Sequence, residues 1–228
     1  MSERTQPAPP SLASALAAAL HALRSEMFAL QGELGLQAVN QSRVAQRLRC
    51  LTTLVDDLDW RRRLARGEVA ARPELCQIGA LLDALAVEIE AAWPESVIVI
   101  GNAAELPEAW VDPVRLREAL RLAALDLLRR TCADPPTLKL AATAQAGSLM
   151  LTLSAKLRLS GADAAALFWP LEQLPRRLAR CGPGLFVARA LARRLGGELQ
   201  LRRYANGTCV LALTVPPASR EETRCPMC

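Results

Sequence analysis

Aromatic residues make up only 4% of the 228-residue chain, with one tyrosine, and there is a single histidine. So few rings leave little to stack on bases, and the arginines behind the net charge of +5 are scattered along the chain, not gathered into an arm or stripe. Both features exclude nucleic-acid binding as the main function. No apolar stretch of about 18 residues runs without a charge. The Ala/Leu-rich run Leu12–Leu20 follows a proline-containing leader with no basic cluster, so neither a membrane span nor a secretion signal is expected. The expectation is a cytoplasmic protein.

A disulfide framework is also missing. Cys50, Cys76, Cys132, Cys181, Cys209, Cys225 and Cys228 fall at irregular spacings, several in apolar segments, and read as reduced, mostly buried thiols. Cys225-Pro-Met-Cys228 is a lone CxxC with no second ligand pair for zinc and no strand before it for a thioredoxin-like motif. It reads as part of a flexible tail, with oxidation-linked dimerisation as a minor alternative.

What the chain does have is periodicity. Residues 1–10 are polar and proline-rich and suit a disordered leader. Leu12, Leu16, Leu20, Leu23, Met27, Leu30 and Leu34 then recur at spacings of three and four, which only a helix places on one stripe. Gly35 is a stop signal. Val44, Leu48, Leu51, Val55 and Leu58 repeat the pattern up to about Gly67. Two such helices joined by a polar turn make an antiparallel hairpin, and a hairpin alone cannot cover both stripes. A homodimer closing a four-helix bundle is therefore expected over residues 11–67.

Beyond Gly67 the pattern changes. Glu68–Pro73 reads as a linker, Ile78–Trp93 as an amphipathic helix, Ser96–Ile100 and Ala109–Val111 as strands. Asp112 and Pro113 are an N-cap and first-turn proline for a helix running to Arg130. Thr137–Thr143 and Ser148–Leu153 alternate around Gly147 as a hairpin. A helix over Gly184–Leu195 precedes a second hairpin, Glu198–Arg203 with Thr208–Val215, turned at Asn206-Gly207. Strands with helices packed on one face predict an α+β sandwich over residues 68–216, and residues 217–228 read as the tail.

Several segments, in order, resemble the two-component sensor histidine kinases. His21-Ala-Leu-Arg-Ser-Glu-Met27, with Leu30 and Gly32, is similar to the phosphoacceptor box. Leu54-Val-Asp-Asp-Leu58 and Arg63-Leu-Ala-Arg-Gly-Glu68 are similar to the end of the second hairpin helix. Asp112-Pro-Val-Arg-Leu-Arg-Glu-Ala-Leu120 resembles the entry to the N box, and Leu167-Phe-Trp-Pro170 the short phenylalanine motif of the lid. Gly182-Pro-Gly-Leu185, Leu195-Gly-Gly197 and Asn206-Gly-Thr208 resemble the second glycine box and closing strands. Together they imply a GHKL (Bergerat) ATPase-type sandwich behind a dimerisation and phosphotransfer hairpin.

The resemblance also implies roles. His21 becomes the phosphoacceptor, one step off the apolar stripe, where a neutral imidazole nitrogen is a nucleophile near neutral pH. Ser25 takes the place of the residue that positions water for dephosphorylating the partner. Asp126 falls on the magnesium ligand, Arg129 on a basic phosphate contact, and Gly182 and Gly184 on the phosphate-binding turn before a helix. An ordinary surface histidine, a solvated helix face and a tight turn are the plain readings of the same residues.

Departures from the family pattern are specific. The acidic residue that follows the histidine and acts as general base in autophosphorylation is replaced by Ala22. The earlier N-box asparagine is Leu122, the first glycine of the second box is Arg180, and the adenine-accepting aspartate falls on Ser154 or Ala155 within Leu153-Ser-Ala-Lys-Leu-Arg-Leu159. Asp163 is the only nearby carboxylate. The pattern resembles kinase-derived histidine phosphotransferases: phosphate passed between His21 and an aspartate of a response-regulator receiver domain, with ATP and magnesium used only if the pocket still functions. An active autokinase and a non-catalytic pseudokinase that binds a kinase or regulator are the alternatives.

Overall fold

The computed structural model describes residues 55, 59–60, 62–64, 66, 72–101, 108–145, 148–170, 173–175, 178 and 184–216. The expected hairpin, its dimer, the leader and the tail lie outside these residues, apart from a few positions at the end of the second hairpin helix. Among them, residues 59–60 and 62–64 are helical.

The elements are β1 (Glu74–Gln77), α1 (Ile78–Ala92), β2 (Val97–Gly101), β3 (Glu108–Val111), α2 (Pro113–Arg130), β4 (Thr137–Gln145), β5 (Ser148–Lys156), α3 (Gly161–Ala166), α4 (Gly184–Arg194), β6 (Glu198–Arg203) and β7 (Thr208–Val215). The main sheet has the order β2-β4-β5-β7-β6. Its β2–β4 pair is parallel and the other pairs are antiparallel. A parallel pair needs a crossover, and α2 supplies it.

Strand alternation makes the sheet two-faced. Leu149, Leu151, Leu153 and Ala155 of β5 point inward and are buried, as are Cys209, Leu211, Leu213 and Val215 of β7. The opposite face carries Lys139, Ser154, Val210 and Arg202 in one cross-strand row. Helices α1, α2 and α4 cover the leucine face. α2 lies at the centre of that layer and is buried all round from Leu122 to Leu128, while its first half keeps a charged face of Arg117, Glu118 and Arg121. Each leucine buried there contributes about 1.5–3 kcal/mol of transfer free energy.

The expected helix start at Asp112 is present: Asp112 Oδ1 accepts from the Arg115 backbone N–H at 2.9 Å, with Pro113 in the first turn. Both hairpins pair as expected, and Gly207 takes φ +80° in the turn between β6 and β7. Two elements are additions to the sequence reading. β1 pairs antiparallel with β3 in a separate two-stranded ribbon. α3 is announced by Ser160-x-x-Asp163, a capping box in which the Asp163 N–H donates to Ser160 Oγ at 3.1 Å.

Cys76 and Cys209 are buried free thiols, whereas Cys132 is exposed, so the expectation of buried cysteines holds at two of the three described positions. Burial pushes both buried thiols up, Glu74 adding to the shift at Cys76. No helix among the described residues is long and apolar enough to cross a membrane.

Candidate functional site

Asp126, the expected magnesium ligand, stands in the apolar centre of α2 and is 0% exposed. Both its oxygens are engaged by one guanidinium. Arg130 Nε donates to Oδ2 at 2.8 Å and Nη2 to Oδ1 at 3.1 Å, a bidentate pair one helical turn apart. The Arg130 side chain is itself only 5% exposed, and its Nη1 donates to the Leu178 carbonyl at 3.3 Å. An ionised carboxylate survives in a core only when paired and hydrogen-bonded. Asp126 therefore turns no oxygen to solvent, and a fixed guanidinium already supplies the positive charge beside it. These residues do not fit a magnesium ion.

Gly184 opens α4 directly against this pair. A Cβ added there would meet Asp126 Cβ at 3.1 Å and the Leu122 carbonyl at 3.2 Å, so the glycine permits the close approach of α4 to α2. Gly184 is itself buried. Gly184→Ala is expected to lower stability by about 1–3 kcal/mol through overpacking, read as a shift of the urea midpoint. An unchanged midpoint would mean that α4 can withdraw from α2 without cost.

The other expected contacts are dispersed. Arg129 Nε bonds back to the Leu125 carbonyl of its own helix at 2.9 Å. Leu122 is fully buried in the core. Ala155 faces the helix layer and is buried, while Ser154 points to the opposite side of the sheet. Asp163, the carboxylate that the sequence offers nearby, is committed to the α3 capping box. Thus Asp126, Leu122 and Gly184 come together, and Arg129 turns away along α2. His21, Ser25 and Gly182 lie outside the described residues.

The motif Leu167-Phe-Trp-Pro170 is tied to α4. Arg189 donates to the Phe168 carbonyl at 3.1 Å and stacks 4.8 Å from its ring centroid. Burial lowers the pKa of Arg189, with Arg193 contributing in the same direction.

No family model and no curated protein sequence matches the chain. Solved structures do. The histidine kinase AdeS of Acinetobacter baumannii superposes with a TM-score of 0.63 at 17% identity, covering 87% of this chain and 98% of AdeS. The ATP-binding domain of PrrB from Mycobacterium tuberculosis matches with a TM-score of 0.52 at 18% identity, covering 64% of this chain and 98% of that domain. The fold is that of the histidine kinases. Full-length ShkA, solved in complex with AMPPNP, matches with a TM-score of 0.60 at 21% identity, over 91% of this chain and 46% of ShkA. The chain thus spans less than half of ShkA.

On this histidine-kinase fold, Arg130 is the residue that sequence reasoning passed over. Its signal was available: Asp126 is the only charge between Arg121 and Arg129-Arg130 in an otherwise apolar helix segment, and Arg130 stands four residues after it. Nothing in that spacing said that both would be buried.

Proposed function

We propose that the chain is a two-component phosphorelay protein of histidine-kinase architecture, with ATP binding weakened or lost. His21 would exchange phosphate with an aspartate of a response-regulator receiver domain. In this reading residues 11–67 form the dimerisation and phosphotransfer hairpin and residues 68–216 a degenerate ATPase-type domain.

The observation that carries the reading is the buried Asp126–Arg130 pair, which leaves no open carboxylate at the position that the resemblance gives to the magnesium ligand. Ala22 supports it from the sequence, because no acidic residue stands next to His21 to take a proton during attack on ATP. Transfer from a receiver makes lighter demands. A neutral imidazole nitrogen of His21 attacks the aspartyl phosphorus, the P–N bond forms, the P–O bond to the carboxylate breaks, the carboxylate departs as the free anion, and the proton on the other ring nitrogen is released to water. Ser25 would position a water that hydrolyses the aspartyl phosphate of the partner.

A second reading, an autokinase, draws on the likeness to ShkA, which was solved with AMPPNP. One experiment separates them. Purified chain is offered radiolabelled phosphate either from ATP with magnesium or from receiver domains charged by labelled acetyl phosphate. Label is expected to arrive only from the receivers, and His21→Gln should take none. Label arriving from ATP would favour the autokinase, and no label from any receiver would refute phosphotransfer.

A further inference from the structure

The connection between the hairpin and the sandwich is gripped at both of its ends by one helix. On the hairpin side, Trp60 is 8% exposed and its Nε1 donates to Glu118 Oε1 on α2 at 2.7 Å. Two guanidinium groups lie over the Trp60 ring, Arg63 at 4.6 Å from the centroid and Arg115 of α2 at 5.4 Å. Arg121 in turn holds the Glu118 carboxylate through contacts of 2.8 and 3.1 Å. On the sandwich side, the Arg72 backbone N–H donates to Asp112 Oδ2 at 2.7 Å. The other oxygen of Asp112 caps α2, and Asp112 is 5% exposed.

Asp112, Arg115 and Glu118 are three apart and so line one stripe on the first turns of α2. That stripe meets the last turns of the hairpin helix and the end of the linker together. Turning one module against the other would break the indole bond, unstack Arg115 and expose the Trp60 ring to water.

We propose that this contact is a brace: Trp60, seated on Arg115 and Glu118, joins the end of the hairpin helix and the α/β sandwich into a single rigid body. The brace presents surfaces of the two modules to a partner at one constant spacing. It stands or falls on motion and not on phosphate chemistry, so it is separable from the phosphorelay reading.

Three of the four tryptophans provide the test. In full-length protein labelled with nitrogen-15 tryptophan, Trp60 reports on the hairpin end, and Trp93 and Trp110 report on the sandwich. The Trp60 indole is expected to share the tumbling time of Trp93 and Trp110 and to exchange its proton slowly. Glu118→Ala should speed that exchange about tenfold or more, as expected for a lost hydrogen bond to a charged group, and should shorten the local correlation time of Trp60 alone. Glu118→Gln, which keeps an acceptor oxygen, should stay near wild type. A Trp60 indole that tumbles independently in the wild-type chain overturns the brace, whatever the variants do. So does a Trp60 signal indifferent to Glu118→Ala. Should Glu118→Ala unfold the sandwich, Arg115→Ala removes the stacking partner that α2 contributes and is expected to loosen Trp60 in the same direction; an unchanged Trp60 there overturns the proposal.

Discussion

Arg130→Met is expected to lower the free energy of unfolding by about 3–5 kcal/mol, while the double change Asp126→Leu with Arg130→Met should be close to wild type or more stable. The single change removes the guanidinium and leaves Asp126, at 0% exposure, as an ion inside a leucine-lined core with both oxygens stripped of their partners. Water cannot reach the carboxylate to compensate, so the loss is the desolvation cost of an orphaned charge, larger than the value of any single hydrogen bond. The double change removes both charges and returns apolar volume to a helix that is apolar everywhere else around this point. Urea denaturation of the three proteins, with the slope compared to exclude a change in the extent of unfolding, measures the difference. A loss below about 1 kcal/mol for Arg130→Met would class the pair with exposed ion pairs and contradict its burial.

The second large effect is expected in calorimetry with Mg-ATP. No heat of binding should appear at millimolar nucleotide, and Arg130→Ala should not restore any. Two independent features act here. The first is the occupied carboxylate of Asp126. The second is the adenine side of the site, where the inward position that would carry an acceptor is Ala155, whose methyl group is buried between sheet and helices. Ser154 carries an oxygen but points to the other face, and Asp163 caps α3. Freeing Asp126 leaves the second deficit in place. Micromolar binding by the wild-type chain would show that the nucleotide is held by other groups, and would move the assignment from phosphate relay to autokinase.

These two expectations rest on contacts of different range. The helix periods of α1 and α2, the strand alternation of β4, β5, β6 and β7, the cap at Asp112 and the turn at Asn206-Gly207 were legible in the chain itself. Each depends on side chains within a few residues of one another, where backbone geometry alone decides which face a residue takes. β1 was missed because Glu74–Gln77 is short, and its pairing is decided by β3 more than thirty residues away. α3 was missed although its capping box is local, since a six-residue helix carries too little periodicity to stand out.

The candidate site divides along the same line. Sequence alone determined the α+β sandwich and the likeness to histidine kinases, named Asp126, Arg129 and Gly184 as the positions to inspect, and located the departures at Ala22, Leu122 and residues 153–159. What it could not decide is whether an oxygen at Asp126 is a ligand or one half of an ion pair, because that depends on burial. Gly184 of α4 packs against the Asp126 side chain and the Leu178 carbonyl holds Arg130, and neither contact is announced by a local pattern. The same holds for Trp60 and Glu118, whose pairing spans 58 positions and leaves no periodic trace. Local physics writes the elements into the chain. Which polar groups are sealed together is settled when those elements exclude water from the space between them.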